Sequence, residues 1–251
     1  MKTIFKCILL FLLLTGSGAF AQQFKALLFT KTDGFHHESI QEGVTAMRTL
    51  AARNNFTIDW HENAAIFNDK ALENYKVVIF LNTTGDVLNA DQQTAFEKFI
   101  KAGKGYVGIH SASDTEYDWP WYTRLVGMMF KIHPQQQTAY LKLEDGNFPG
   151  MERFPKKLVW TDEWYEYGER KADDLKILLS VDEKTYDPYA KWGEKEGKGM
   201  GSLHPIAWYH KYDGGRSFYT GLGHIPLTFS DPIFLDHLYG GIYWAATGKG
   251  L

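Results

Sequence analysis

The segment Gly108-Ile109-His110-Ser111-Ala112 places a histidine at the end of a strand-like run, among small neighbours. This is the setting of a strand-to-helix elbow, the turn that presents the nucleophile in many hydrolases. Here it would present an imidazole, able to act as general acid, general base or metal ligand. Asp114, four residues on, could orient or charge-balance that imidazole, or cap the helix that follows. Two more strand-like runs end in similar clusters, Asp33-Gly34-Phe35-His36-His37-Glu38 and Asn82-Thr83-Thr84-Gly85-Asp86. In open parallel sheets, ligands sit outside the carboxyl ends of the strands, so these three ends should meet at one cleft. His37 is then a candidate catalytic group, and Asp33, His36, Thr84 and Ser111 are candidate substrate contacts.

Asp162 and Glu163 are neighbours on a later strand-like run, and alternation sends them to opposite faces. Leu158, Trp160, Asp162 and Trp164 form the more apolar set; Thr161, Glu163 and Tyr165 form the more polar one. Glu163 is therefore the candidate acid or base, and a carboxylate beside aromatic rings is expected to have a raised pKa. His133, before Pro134, is a candidate wall residue, and His204 and His224 flank two further strand-like segments. Trp119, Trp121 and Tyr122 could stack on sugar rings, and Tyr165, on the face of Glu163, is a further candidate substrate contact. Acid–base chemistry of this kind requires no cofactor. The histidines also allow a divalent ion such as zinc, with His37, His110, His204 and His224 as candidate ligands. No HExxH spacing is present, so only the fold could assemble such a site.

The elements that must position these groups change character halfway along. Phe24–Thr30, Phe56–Trp60, Val77–Leu81 and Gly105–His110 are short apolar runs alternating with helical periodicity, notably over Ser39–Asn54. Asn89 and Gln92 form a capping-box signature for a helix that stops at Gly103. This half reads as a parallel sheet with helices on both faces. Segments 138–143, 158–167, 175–181, 205–210 and 217–220 are strand-like with little helix between, predicting an antiparallel extension or edge. The Gly-, Lys- and Glu-rich stretch Asp182–Ser202 reads as a long loop, a flap over the site. Asp231-Pro232 starts a closing helix. No repeat or linker divides the chain.

Composition bounds the possibilities. Residues 1–21 combine Lys2 and Lys6 with an apolar run and end in Ala19-Phe20-Ala21, the pattern of a cleaved export signal. The run is too short for a bilayer, which takes roughly 20 apolar residues. The expected mature chain is one domain over 22–251, periplasmic or secreted. The one cysteine, Cys7, falls within the signal, which excludes disulfides and cysteine nucleophiles from the remainder. Two of the 27 basic residues also fall there, so the rest carries fewer bases than its 30 acids, with no basic cluster. That argues against nucleic acid or an anionic membrane as partner. The high aromatic fraction, 16%, is also what a sugar-binding cleft would use, so a small-molecule sugar is a candidate partner; nothing in the sequence fixes the oligomeric state.

Five segments together resemble the ThuA-like (trehalose utilisation) family: GFHHESI (34–40), GIHSASD (108–114), LVGMMFKIHP (125–134), DEWY (162–165) and HPIAWYHKYDGGRSFYTGLGH (204–224). The resemblance implies a three-layer, flavodoxin-like sheet of the class I glutamine amidotransferase type. In amidotransferases the elbow carries a cysteine; His110 stands there in this chain. Relatives usually have Arg before the first-motif histidine, where this chain has His36, and an acid before HPIAW, where it has Leu203. The resemblance further implies action on a disaccharide, glycoside or keto-sugar derivative. The alternatives are a non-catalytic sugar-binding protein and a metal-dependent hydrolase.

Overall fold

The computed structural model describes residues 22–250. The expected export signal, residues 1–21, lies outside the described residues. Among the described residues no helix is long and apolar enough to cross a membrane.

The front half alternates as its periodicity requires: β1 (Lys25–Phe29), α1 (Ile40–Arg53), β2 (Thr57–His61), α2 (Asp69–Leu72), β3 (Val77–Leu81), α3 (Ala90–Lys101) and β4 (Gly105–Ile109). Every residue of β3, the run VVIFL, is buried, as befits a central strand covered on both faces. The capping box of α3 is formed, with the Asn89 side chain on the Gln92 N–H and the Gln92 side chain on the Asn89 N–H. Ser39 precedes α1, but its hydroxyl does not cap the helix. It donates instead to the Gly223 carbonyl (2.8 Å) and accepts from the Asn82 amide (2.8 Å), tying three loops together.

The back half adds α4 (Pro120–Val126), β5 (Phe130–Ile132), β6 (Gln137–Leu143), β7 (Lys157–Asp162), β8 (Glu166–Tyr167), β9 (Lys176–Val181), β10 (Tyr189–Trp192), β11 (Lys195–Lys198), β12 (His204–Tyr212), β13 (Gly215–Thr220) and α5 (Pro232–Thr247). Asp231 caps α5, accepting from the N–H groups of Ile233 and Phe234. The expected strand over 158–167 is divided: β7 joins the main sheet, while β8 pairs with β5 in a separate two-stranded ribbon. The expected loop over 182–202 holds a hairpin, β10 with β11.

Nine strands form one sheet in the order β2-β1-β3-β4-β13-β12-β9-β6-β7. β2, β1, β3, β4 and β13 are parallel. From β13 onward each neighbour is antiparallel. Alternate residues face opposite layers. Leu28, Ile79 and Ile109 pack with α1 and α5, whereas Phe29, Phe80 and Tyr106 pack with α3 and α4.

Strand direction decides where the site can form. Four successive antiparallel steps separate β7 from β13, so the two point the same way and end at the same edge as β1 and β4. The antiparallel half must also curl, because a flat sheet would hold β7 four strand spacings, about 19 Å, from β13. Trp160 of β7 packs against Phe234 of α5, and Asp162 reaches the backbone of Gly223 and His224 just beyond β13. The curl brings the far edge strand home.

Candidate functional site

His110 begins the turn after β4 with φ of +50°. A left-handed conformation at a non-glycine residue persists only when its surroundings hold it. Tyr219 donates its hydroxyl to the His110 carbonyl (2.6 Å), and Ser113 donates to the same oxygen (3.3 Å). On the ring, Nδ1 lies 2.8 Å from the Gly221 carbonyl, which can only accept, so Nδ1 carries a proton. In the neutral ring the Nε2 lone pair is then left pointing away from the backbone. That atom is buried, has no hydrogen-bond partner, and lies 3.5 Å from Oε2 of Glu163.

Glu163 follows directly on Asp162 at the end of β7. Asp162 is fully buried and works beneath the site. Its Oδ1 accepts from the N–H groups of Glu163 (2.9 Å) and His224 (3.1 Å), and its Oδ2 accepts from that of Gly223 (3.0 Å). Gly223 has φ of +120°, which side-chain-bearing residues rarely adopt. One carboxylate therefore fixes both loops that supply the site. Burial raises the Asp162 pKa, opposed by His110 and these N–H groups, and both oxygens are used as acceptors.

Oε2 of Glu163 also lies 3.2 Å from Nδ1 of His224, again without hydrogen-bond alignment. Oε1 lies 3.2 Å from Nδ1 of His133, which hydrogen-bonds the Pro134 carbonyl at 2.7 Å. Burial pushes the Glu163 pKa up, but His110, His224 and His133 outweigh it and hold the carboxyl well below the usual range. The raised pKa expected from its aromatic neighbours does not occur, because the neighbours that matter are imidazoles. His37 completes the group, with Nδ1 3.2 Å from the Ser111 hydroxyl. Burial, with His110 and His224 close by, lowers its pKa to about 2, so the ring is neutral. His224 moves the other way: burial lowers its pKa, and Glu163 more than restores it.

His37, His110, Glu163 and His224 each offer one ligand atom, and these atoms lie within 4.8 Å of one another. Four ligand atoms held about 2.1 Å from a tetrahedral ion lie about 3.4 Å apart, so the widest separations would contract by up to about 1.4 Å to close the set around an ion. Three imidazoles and one carboxylate suit zinc or a similar divalent ion. Outer contacts already orient the ligands: Gly221 for His110, Ser111 for His37 and His133 for Glu163.

Four groups of the other candidates lie at or around the site. Tyr165 and His133 belong to the wall, the Tyr165 ring lying 4.4 Å from that of His110 and 5.6 Å from that of His133. Ser111 and Thr84 support it, Thr84 donating to the Phe35 carbonyl and accepting from the Gly34 N–H. Asp114 lies on the His110 turn, where burial raises its pKa and the Tyr117 hydroxyl donates to it at 2.7 Å. Asp33 and His36 are exposed on the loop after β1, with His36 Nδ1 3.3 Å from the Thr32 hydroxyl.

Three residues are placed elsewhere. Trp119 and Trp121 stack on each other among the aromatics of the α3–α4 layer, their indoles bonded to Glu97 and Asp213. Aromatic content alone does not distinguish a core ring from a cleft ring. His204 spends both nitrogens on Glu183 (2.7 Å) and the Tyr165 carbonyl (2.8 Å), and Glu163 takes its place in the candidate ligand set. The sequence reading missed Asp162 as the residue that holds Glu163 and His224. It also missed three exposed rings: Phe35 against His37, Tyr117 bonded to Asp114, and Trp192 against His133. A lone Trp in the charged stretch 182–202 was the available signal.

A family model described as ThuA, trehalose utilisation, matches residues 25–245. Among solved structures, a ThuA-like protein of Bacteroides uniformis is 24% identical with a TM-score of 0.72, covering 90% of this chain and 92% of its own. A ThuA-like protein of Parabacteroides merdae is 21% identical with a TM-score of 0.70, covering 90% and 91%. A β-galactosidase of Bacillus circulans shares the fold over 91% of this chain but only 32% of its own, at 16% identity and a TM-score of 0.55. No curated protein matches this sequence. The family match spans nearly all the described residues, and the chain belongs to the ThuA, or trehalose utilisation, family.

Proposed function

We propose that this chain is an exported, metal-dependent enzyme acting on a disaccharide, a glycoside or a keto-sugar derivative of one. His37, His110, His224 and Glu163 hold the ion. The observation that carries the reading is the pair of buried, unpartnered nitrogens, His110 Nε2 and His224 Nδ1, facing one oxygen of Glu163. Each of these buried atoms lacks an aligned hydrogen-bond partner, which costs free energy. A divalent cation among them would give both nitrogens a partner and neutralise the ionised carboxylate they face.

Such an ion supplies Lewis acidity, polarising a substrate oxygen or lowering the pKa of a bound water. Glu163, held ionised, serves as a ligand rather than as a proton donor. Asp114, on the same turn as His110 and hydrogen-bonded to the Tyr117 hydroxyl, is the nearest further carboxyl in sequence and the candidate for proton transfer. The family description supports the sugar class. The strand order β2-β1-β3-β4-β13 supports a flavodoxin-like arrangement of the class I glutamine amidotransferase type, with the site at the carboxyl ends of its strands.

The test is elemental analysis of the purified mature chain, together with release of monosaccharide from plain and 3-keto disaccharides. The expected result is about one divalent ion per chain and turnover that falls by orders of magnitude with chelator or His110→Ala. Full turnover by metal-free protein would sink the proposal.

A further inference from the structure

Two large exposed rings stand directly against imidazoles of the site. Phe35 is 65% exposed and stands against His37, ring centroids 4.8 Å apart. Trp192 is 44% exposed and meets His133 edge-on at 4.5 Å. His37 belongs to the ligand group around Glu163, and His133 touches the other oxygen of the same carboxylate. The two rings therefore stand outside the polar centre, each beyond a different imidazole.

The hairpin β10–β11 that carries Trp192 is fastened at its base. Oε2 of Glu166 accepts from the N–H groups of Lys198 and Gly199, both at 2.8 Å, and Oε1 pairs with Lys131. Glu183 accepts from the N–H groups of Met200 and Gly201 and binds His204, which in turn reaches the Tyr165 carbonyl. Gly197 packs closely on Ile132 and Glu166, where a Cβ would meet the Ile132 methyl at 2.5 Å. Two carboxylate clasps on a stretch otherwise rich in exposed charge set the indole in place before any ligand arrives, which lowers the entropy lost on binding.

A ligand for this arrangement needs an apolar face for an exposed ring and polar edges for the centre. A pyranose has both, through its C–H faces and equatorial hydroxyls. We propose that Trp192 and Phe35 are stacking platforms for a pyranoside, and that the fixed hairpin makes Trp192 a determinant of which sugar unit is accepted. This rests on the carbohydrate reading above and extends it to the two rings that flank the polar centre.

The experiment is calorimetric titration of the metal-loaded protein, its Trp192→Ala, Trp192→Phe and Phe35→Ala variants with trehalose, maltose and methyl α-D-glucopyranoside, and with adenosine as a flat non-sugar probe. Metal content and melting temperature are measured on every variant. Saturable sugar binding by the wild type is expected, weakened about tenfold by Trp192→Ala and less by Trp192→Phe, with metal content unchanged. Phe35→Ala is expected to weaken the same sugars. Adenosine binding in preference to sugars, sugar binding indifferent to both alanine variants, or no sugar binding by the metal-loaded wild type would each overturn the proposal. The last result leaves the metal reading standing, whereas a wild type that refuses metal overturns that reading separately.

Discussion

Asp162→Asn isolates the device that joins the two loops of the site. The substitution keeps shape and removes charge. In the native protein one oxygen accepts two backbone N–H bonds, from Glu163 and His224, and the other accepts one, from Gly223, with the Trp160 indole at 3.4 Å. An Asn amide has only one acceptor oxygen, so its NH2 group must confront N–H donors on one side. If the NH2 takes the Oδ1 position, two backbone bonds are lost; in the Oδ2 position, one is lost together with the weak indole contact. Each buried donor left unpaired costs about 1–3 kcal/mol, and the bonds lost are charge-assisted. The cheaper orientation sets the loss, about 2–4 kcal/mol once the lost charge assistance is included, or roughly 4–16 °C for a chain of this size. Urea denaturation of both proteins in chelator measures this without any contribution from metal. Titration with zinc should then show affinity lower by at least about tenfold, because Glu163 and His224 lose their common anchor. An Asn variant within about 0.5 kcal/mol of the wild type, binding zinc equally well, would refute the argument that Asp162 organises the site.

Metal removal should itself destabilise the protein. Binding at a thousand times the dissociation constant contributes about 4 kcal/mol, so chelation should lower the melting temperature by roughly 8–15 °C, and one equivalent of zinc should restore it. Tyr219→Phe removes the hydroxyl that holds the His110 carbonyl at 2.6 Å; a loss of about 1–2 kcal/mol is expected by denaturation, with turnover falling further than stability. Trp121→Ala should cost about 3–5 kcal/mol of stability while leaving zinc affinity intact, because its ring lies in the α3–α4 layer. His237 gives a pH effect far from the site. It is fully buried against Phe218, Phe234 and Met151, and burial lowers its pKa to about 3. Below pH 6.5 the unfolded chain takes up a proton that the folded one refuses, so stability falls as the pH drops from there toward 3, by up to about 1.4 kcal/mol per unit. His237→Leu should flatten that part of the profile in denaturation measured from pH 7 to 5.

The parallel half of the fold was legible because burial on both faces leaves runs such as Val77–Leu81 with no polar interruption. The hairpin β10–β11 was not, because its residues face solvent and carry lysines and glutamates that give no alternation to read. In the site, strand ends led to His37 and His110, and alternation separated Glu163 from Asp162. The role of Asp162 was hidden, since its partners are backbone N–H groups of Gly223 and His224, about sixty residues away, which no side-chain pattern reports. The pKa of Glu163 was misjudged for a related reason: its sign depends on three imidazoles that only the curl of the sheet brings near.

That curl has a consequence for the order of events during folding. The first four parallel strands deliver His37 and His110, but the carboxylate arrives on the outermost strand of the antiparallel half, and the last imidazole comes after β13. A chain with only its front half in place holds two imidazoles and no anion, a poor trap for any ion. On the proposed metal reading, capture would wait until the edge strand has swung round to α5. The bonds would then close a ring through the whole sheet, so lifting the far edge would open it again. Exchange of bound metal should then track the opening of β7 rather than the chemistry of its ligands.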